Sequence, residues 1–362
     1  MNQKGFANLI IIGIVLATVL GVGGYFVLVK KPATPSETQQ PITPSANTIV
    51  TPIMIVAGVP KEFAETKDYD AIFRELKGAG VDGFFPLFLY EEVPVPKTTG
   101  NELDFLLPCN SDTPAFIATR AHNVKYLVPG EILYRPNEFP SLSKDPLKRL
   151  IDCAGRDMIL GVTSYDEPFL NGITPEQAEK LYRRVKEVDS TIPVFLVHAP
   201  LPAVIIEGNT SRPTTAEEVS FYLSEIRRYT KYADILGFDV YPIPQRIAQT
   251  LTPYRQKEMP DYRIAIADYI RWLRENSDGK PYFIALQAFS YKNLGPLWLN
   301  ISTDGAPWPT KEELQEMIQV ATTEQASYII WFGPSYLKTA QDELFWQNFL
   351  EVLRNSTTSG VW

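Results

Sequence analysis

The chain has 362 residues, of which 45% are hydrophobic and 21% charged, so it can bury a large core and is not an intrinsically disordered chain. The first 45 residues contain three lysines and one glutamate, so the net charge of −8 for the whole chain becomes −10 for the remainder. This acidic balance excludes nucleic acid as the expected partner. The chain has only two cysteines and two histidines, so we expect no Cys/His zinc cluster built from these residues alone.

The N-terminal segment from Phe6 to Val29 contains 24 residues and no charged side chain. As a helix it would be about 36 Å long, which exceeds the roughly 30 Å hydrocarbon core of a bilayer. It is also longer than the apolar part of a cleaved signal peptide, which has about 7 to 15 residues. We therefore predict a membrane anchor over residues 1–31, with the membrane as a partner through this single helix.

Residues 32–50 have the composition of a flexible linker. Of the 17 residues from Pro32 to Thr48, ten are Pro, Ser or Thr, and such a segment behaves as an extended spacer. Lysines flank the apolar segment on both sides, so the positive-inside rule does not set its orientation. The spacer favours a single-pass protein of the cell membrane whose folded domain is held on the extracytoplasmic side.

From Thr51 onward, short apolar runs alternate with amphipathic segments. Each run is continuously apolar and does not alternate with polar residues, which is typical of parallel strands buried on both faces. The predicted strands are Pro52–Gly58, Val81–Phe88, Val124–Val128, Met158–Ser164, Val194–His198, Ile235–Tyr241, Tyr282–Gln287 and Tyr328–Phe332.

The segments between these runs carry helix-start signals. Thr174, Thr215 and Thr310 are each followed three residues later by Glu or Gln, the pattern of a capping box, and Asp145 precedes a proline. Eight strand and helix pairs predict the α/β class and a (β/α)8 TIM barrel over residues 51–355, followed by a C-terminal tail over residues 356–362. The alternative is an open doubly wound sheet, which usually has a glycine-rich turn after its first strand. Gly58-Val59-Pro60 is not such a turn.

In (β/α)8 barrels the chemistry lies at the C-terminal ends of the strands. The predicted fourth strand ends in Tyr165-Asp166-Glu167-Pro168 and the sixth in Asp239-Val240-Tyr241, and the remaining strand ends offer Glu131, His198, Gln287 and Trp331. Acids with aromatic rings suit a sugar, whereas phosphate chemistry would require Arg or Lys at these ends. We therefore expect a carbohydrate ligand, no cofactor and no metal. The alternative is that the adjacent acids only begin a loop and cap the next helix.

These strand ends resemble those of the clan-A superfamily of retaining glycoside hydrolases, over about Thr51 to Asn355. In that superfamily the fourth strand ends in Asn-Glu, and the Glu is the general acid/base. Glu167 matches this position, with Asp166 in place of the Asn. The superfamily also has a nucleophilic Glu at the end of the seventh strand, where this chain has Gln287. An amide cannot form the glycosyl-enzyme ester, so we do not expect the usual double displacement from that position.

Three hypotheses remain open. In an inverting enzyme, Glu167 would be the acid, and Asp239 or Glu131 would activate water with the carboxyl groups about 6.5 to 9.5 Å apart. In a substrate-assisted enzyme, similar to chitinases and hexosaminidases, Asp166 would orient a 2-acetamido group. In a non-catalytic barrel, the same surface would bind glycans or act as a scaffold.

The sequence thus predicts a membrane-anchored, extracytoplasmic glycoside hydrolase acting on a polysaccharide or glycan by acid/base hydrolysis. We expect catalytic roles for Glu167, Asp166 and Asp239, and Trp331 as the surface on which a sugar ring stacks. The predicted substrate-binding residues are Tyr165, Tyr241, Gln287, Trp331, His198 and Glu131.

Overall fold

Eight parallel strands form a closed barrel in chain order in the computed structural model. The strands are β1 Ile53–Ala57, β2 Val81–Phe85, β3 Lys125–Val128, β4 Ile159–Thr163, β5 Val194–His198, β6 Ile235–Val240, β7 Tyr282–Gln287 and β8 Tyr328–Phe332. The barrel closes where β8 pairs with β1, with Ile53 beside Tyr328 and Ala57 beside Phe332. The predicted (β/α)8 barrel is therefore confirmed, and only the second strand differs by more than a residue at one end, stopping at Phe85 instead of Phe88.

The structure describes residues 51–60, 69–86, 114–201, 216–244, 251–255, 261–294, 305–337 and 340–358. All of them belong to one unit, Ile49–Trp362. The predicted anchor, the predicted linker and Thr215 lie outside the described residues. Within those ranges, none of the helices combines the length and the apolar character that crossing a bilayer requires.

A helix of eight residues or more follows each strand in the described part of the chain. These helices are α1 Tyr69–Gly78, α2 Pro114–Ala121, α3 Pro146–Ala154, α4 Pro175–Val188, α5 Ala216–Arg227, α6 Tyr262–Asn276, α7 Lys311–Thr323 and α8 Ala340–Thr358. The capping boxes of Thr174 and Thr310 start α4 and α7. Asp145 caps α3 by accepting a hydrogen bond of 2.9 Å from the backbone of Leu147. The last helix continues to Thr358, past the predicted end of the barrel at residue 355.

The core has two layers, one inside the barrel and one between the sheet and the helices. Phe195 and Phe283 fill the barrel interior. A Cβ atom at Gly161 would clash with the ring of Phe195, and one at Gly237 would clash with the ring of Phe283. The glycines of β4 and β6 therefore make room for the large rings of β5 and β7.

Alternation along each strand decides which side chains reach the mouth of the barrel. Along β6, Phe238 and Val240 pack in the layer between sheet and helices, so Asp239 and the following Tyr241 face the interior. Along β8, Phe332 packs against the interior cluster, whereas Trp331 belongs to the outer layer. The mouth is thus lined by acids from some strand ends and by rings from others.

Candidate active site at the mouth of the barrel

The turn after β4 holds Glu167 in an unusual backbone conformation. Its φ angle is +37°, in the left-handed region that a residue with a side chain rarely adopts. The side-chain amide of Asn171 donates a hydrogen bond of 2.8 Å to the carbonyl oxygen of Asp166. The backbone N–H of Asn171 donates one of 3.0 Å to the carbonyl oxygen of Glu167. These two bonds stabilise the turn around Glu167, and a strained backbone of this kind is a common feature of functional sites.

Glu131 reaches the same turn from the neighbouring strand end. It lies on a one-turn helix, Gly130–Leu133, that directly follows β3. Its Oε2 accepts a hydrogen bond of 3.2 Å from the backbone N–H of Asp166. The approach requires glycine at position 130, because a Cβ there would overlap the carbonyl oxygen of Thr163.

Asp239 enters the site from β6, where the hydroxyl of Tyr241 donates a hydrogen bond of 3.0 Å to its Oδ2. Glu131, Asp166, Glu167 and Asp239 form a group that we name the carboxyl cluster. Its members act on one another electrostatically: the charge of Glu131 raises the pKa of Asp166, that of Asp166 raises the pKa of Glu167, and both Glu167 and Asp166 raise the pKa of Asp239. Three strand ends thus contribute to one site.

Two members of the carboxyl cluster, Glu167 and Asp239, hold protons at neutral pH. Burial, together with the charge of Asp166, raises the pKa of Glu167 to about 8. The Asp166 side chain keeps contact with solvent, and partial desolvation together with the charge of Glu131 raises its pKa to about 7. Burial and the nearby acids raise the pKa of Asp239 well above its ordinary range. A protonated carboxyl group at neutral pH can act as a proton donor.

Glu131 differs from the other three acids. Burial raises its pKa, but the hydrogen bond from the backbone of Asp166 opposes that shift by stabilising the charged form. Burial raises the pKa of Tyr165 to about 12, and the charge of the neighbouring Glu131 contributes to this shift. The Tyr165 hydroxyl is buried and makes no hydrogen bond within the described residues. No group of three or more His, Cys, Asp or Glu residues in those ranges has a metal-binding arrangement.

An aromatic wall borders the carboxyl cluster on the side of β6 to β8; it consists of Tyr241, Phe289, Tyr291 and Phe332. Tyr241 stacks on Phe332 with ring centroids 5.3 Å apart, and Phe289 meets Tyr241 edge-on at 5.2 Å. Tyr291 donates a hydrogen bond of 2.5 Å to the carbonyl oxygen of Tyr241. The roles of Phe289, Tyr291 and Phe332 were missed from sequence, although the two-residue period of β8 places Phe332 on the inner face.

Gln287 has a different role from the substrate contact expected of it. Its side chain is fully buried, and its amide donates hydrogen bonds to the carbonyl oxygens of Ile243 at 2.6 Å and Phe289 at 3.0 Å. Its Oε1 accepts one of 2.9 Å from the backbone N–H of Ile243. These bonds join the segment after β6 to the end of β7, so we assign Gln287 a structural role.

Trp331 and His198 do not face the mouth, contrary to expectation. Trp331 is fully buried and packs edge-on against Phe349 of α8 at 5.3 Å, so no sugar ring can stack on it. His198 is buried against Phe238 at 5.6 Å, and burial lowers its pKa to about 3. Both residues occupy the outward position of the strand alternation, and this is the physical reason for the two corrections.

Comparisons with known proteins support the fold and do not name a family. No family model and no curated protein matches the sequence. Among solved structures, a Bacteroides thetaiotaomicron VPI-5482 protein provisionally assigned as an alpha-L-fucosidase matches with a TM-score of 0.51 at 11% identity, over 89% of this chain and 99% of that one. At this identity the likeness shows the fold alone.

Two further structures match with lower scores. The beta-galactosidase of the psychrophilic Marinomonas ef1 has a TM-score of 0.49 at 8% identity, over 84% of this chain and 59% of its own. A tryptophan synthase from M. tuberculosis has a TM-score of 0.43 at 11% identity, over 85% of this chain and 92% of its own. Neither carries a functional argument, because these scores are low and the two activities differ.

Proposed function

We propose that this protein is a glycoside hydrolase whose general acid is Glu167. The observation that carries the proposal is the carboxyl cluster, in which burial and the charge of Asp166 raise the pKa of Glu167 to about 8. Glu167 is therefore protonated at neutral pH and can give its proton to a glycosidic oxygen. Tyr241 and Phe332, the two partly exposed rings of the aromatic wall, offer flat faces to the apolar side of a sugar ring.

The other three acids of the carboxyl cluster have separate roles in the proposed reaction. A residue that accepts a proton from water, or that orients a 2-acetamido group, must be ionised. Glu131 and Asp166 suit this requirement better than Asp239, because the pKa of Asp239 is raised well above its ordinary range. Asp239 with Tyr241 is placed to hold a substrate hydroxyl. The inverting and the substrate-assisted routes both use this arrangement, and neither needs a carboxylate at position 287.

The test compares the wild type with Glu167→Gln on glycosides whose leaving groups differ in pKa. We expect turnover of substrates with poor leaving groups to fall about 100- to 10,000-fold, because general acid catalysis contributes that much. Activated aryl glycosides should lose much less, since they barely need the proton. Glu187→Gln, in the last turns of α4 and half exposed, serves as the control and should change neither. Equal losses of turnover on both substrate types would show that Glu167 is not the general acid.

A second function, non-catalytic glycan binding, is favoured by one observation. Gln287 stands where a retaining enzyme would have its nucleophile, and its amide is committed to backbone hydrogen bonds. A wild type that turns over no member of a glycan panel, yet binds one of them in a manner abolished by Tyr241→Ala, would establish this alternative.

We also propose that the barrel is extracytoplasmic, carried by the anchor over residues 1–31 and the linker over residues 32–50. The support is the uncharged 24-residue segment and the Pro, Ser and Thr content that follows it. Protease added to intact cells should release a fragment with the size of the barrel. Full protection until the cells are lysed would contradict this location.

A further inference from the structure

Contacts of Gly130 bring the following residue, Glu131, to the end of β4. The N–H of Gly130 donates a hydrogen bond of 3.2 Å to Oγ1 of Thr163, the last residue of β4. The carbonyl oxygen of Gly130 accepts one of 2.8 Å from the N–H of Tyr134, which closes the one-turn helix that carries Glu131. The main chain of Glu131 is therefore held without the help of its carboxyl group.

The carboxyl group of Glu131 acts on the chain at the point where that chain leaves the sheet. The N–H of Ser164 still pairs with β5, donating a hydrogen bond of 2.6 Å to the carbonyl oxygen of Phe195. Two residues later, the N–H of Asp166 donates instead to Oε2 of Glu131, at 3.2 Å. A side chain from the end of β3 thus replaces the sheet as the partner of this N–H group.

Side chains hold both hydrogen-bonding groups of the Asp166 main chain. Glu131 binds its N–H, and the side-chain amide of Asn171 donates a hydrogen bond of 2.8 Å to its carbonyl oxygen. That carbonyl group belongs to the peptide plane from which the φ angle of Glu167 is measured, and this angle is +37°. Fixing Asp166 therefore fixes the plane on which the rarely populated conformation of Glu167 is built.

We propose that Glu131 is a positioning residue for Glu167: by accepting the N–H of Asp166, its carboxylate fixes the turn that sets the direction of the Glu167 side chain. The inference rests on the proposed function, and it replaces the substrate contact expected of Glu131 from sequence. A hydrogen bond to a carboxylate is stronger than one to a neutral oxygen, so the charge of Glu131 strengthens this contact. The ionised role in the reaction then falls to Asp166, whose carboxyl group makes no hydrogen bond within the described residues.

The experiment measures kcat and KM of the wild type, Glu131→Ala and Glu131→Gln on a glycoside with a poor leaving group. Each protein is assayed at its own pH optimum, because removing the charge of Glu131 lowers the pKa of Asp166. We expect Glu131→Ala to lower kcat about tenfold or more, with a smaller effect on KM, because a small misplacement of a catalytic group is expensive. Glu131→Gln keeps an oxygen that can accept the N–H of Asp166, so its kcat should stay within about threefold of the wild type.

The matched control is Glu313→Ala, which removes a bond of the same type. In the capping box of α7, the carboxyl group of Glu313 accepts a hydrogen bond of 2.7 Å from the backbone N–H of Thr310. This variant should lose some stability and keep its kcat. A low kcat in Glu131→Gln would show that the charge itself takes part, as a base or as a substrate contact, and would overturn the proposal even if Glu131→Ala does not fold. An unchanged kcat in Glu131→Ala would overturn it as well.

If the wild type hydrolyses nothing, the proposed function fails, and the contact is tested without a substrate. Deuterium exchange at the amide of Asp166 is then compared among the full-length wild type, Glu131→Ala and Glu131→Gln. Faster exchange in Glu131→Ala alone supports the positioning of this turn by Glu131. Equal exchange in all three proteins refutes it.

Discussion

The raised pKa of Glu167 connects the chemistry of the site with the stability of the protein. Its ordinary pKa is 4.5 and its pKa in the folded protein is about 8. Between these two values the unfolded chain has lost the proton that the folded protein still holds. Stability therefore falls as the pH rises through this window, by at most about 1.4 kcal/mol per pH unit, and the loss is complete above pH 8.

Glu167→Gln should remove this pH-dependent loss, because a glutamine has nearly the same shape and no proton to lose. We expect the variant to be more stable than the wild type at pH 9 and about equally stable at pH 4. Denaturant unfolding at the two pH values measures the difference. A stability difference that is the same at both values would show that Glu167 titrates normally.

The same groups predict the pH dependence of the reaction. With Glu167 as the proposed general acid, activity should fall as the pH rises through about 8, where its carboxyl group loses its proton. It should also fall as the pH decreases through about 7, where Asp166 becomes protonated, if Asp166 acts in its charged form. A profile of kcat/KM against pH tests both limbs. In Asp166→Asn the acidic limb should disappear, and its persistence would assign that limb to Glu131.

Gln287→Ala should lower stability instead of affecting only substrate positioning. The change leaves the backbone N–H of Ile243 and two carbonyl oxygens without their buried partner, which costs roughly 1 to 3 kcal/mol for each group. Thermal and denaturant unfolding measure the loss. Gln315→Ala, at an exposed position on α7, is the matched control and should be neutral. An unfolding free energy equal to that of the wild type would mean that the contacts of Gln287 contribute little.

At the scale of single residues, the sequence located the acids and misjudged several of the other side chains. Glu131, Asp166, Glu167 and Asp239 could be found because the ends of parallel strands meet at one face of a barrel. A position at a strand end does not say which way the side chain points. Trp331 and His198 sit one residue out of phase with the inner face, and Gln287 turns to the backbone of a segment 44 residues away.

Among the elements of the fold, the turn from Asp166 to Asn171 has the most direct bearing on function. Asn171 secures it through two hydrogen bonds, one from its side chain and one from its backbone. The side-chain bond is the part that a mutation can remove. The position of the Glu167 carboxyl group depends on this bond, because the left-handed backbone at Glu167 sets the direction in which its side chain leaves the main chain.

Asn171→Ala should lower kcat about tenfold or more, because small misplacements of a catalytic group are expensive, while KM for activated substrates changes little. The matched control is Asn276→Ala, which removes a side-chain hydrogen bond of the same length, 2.8 Å, to the carbonyl oxygen of Trp272 at the end of α6. The control should lose some stability and no activity. Similar kinetics in the two variants would show that Asn171 does not position Glu167.

The elements themselves were largely predictable. Capping by Thr174, Thr310 and Asp145 is local chemistry, so the starts of α4, α7 and α3 could be read directly. The backbone conformation of Glu167 could not, because it depends on Asn171 and on Glu131, which belongs to another strand end.

In the molecule as a whole, large aromatic rings fill the barrel interior, and each packs against a glycine of the neighbouring strand. Gly237→Ala should lower the free energy of unfolding by about 1 to 3 kcal/mol, because its new methyl group meets the ring of Phe283. Activity should fall as well, since Asp239 lies two residues further along the same face. The control is Gly78→Ala, at the end of α1, where a Cβ has no neighbour within 4 Å. A wild-type melting temperature in Gly237→Ala would mean that the interior can repack.

The architecture followed from the sequence because continuous apolar runs and chain length both limit the possible folds. The pairing of Gly161 with Phe195 and of Gly237 with Phe283 did not follow. It depends on which residues of adjacent strands come level with one another, and a single sequence contains no record of that register.

The direction in which β1 runs determines how the protein can be presented to a large substrate. The chain enters the barrel at Ile53, and β1 rises over five residues, about 17 Å, toward the end that carries the carboxyl cluster. A barrel immobilised through residue 51 would therefore be held by its floor, with its opening directed away from the support. A polymer too large to diffuse underneath could still be reached in this orientation, so attachment at that residue should preserve its accessibility.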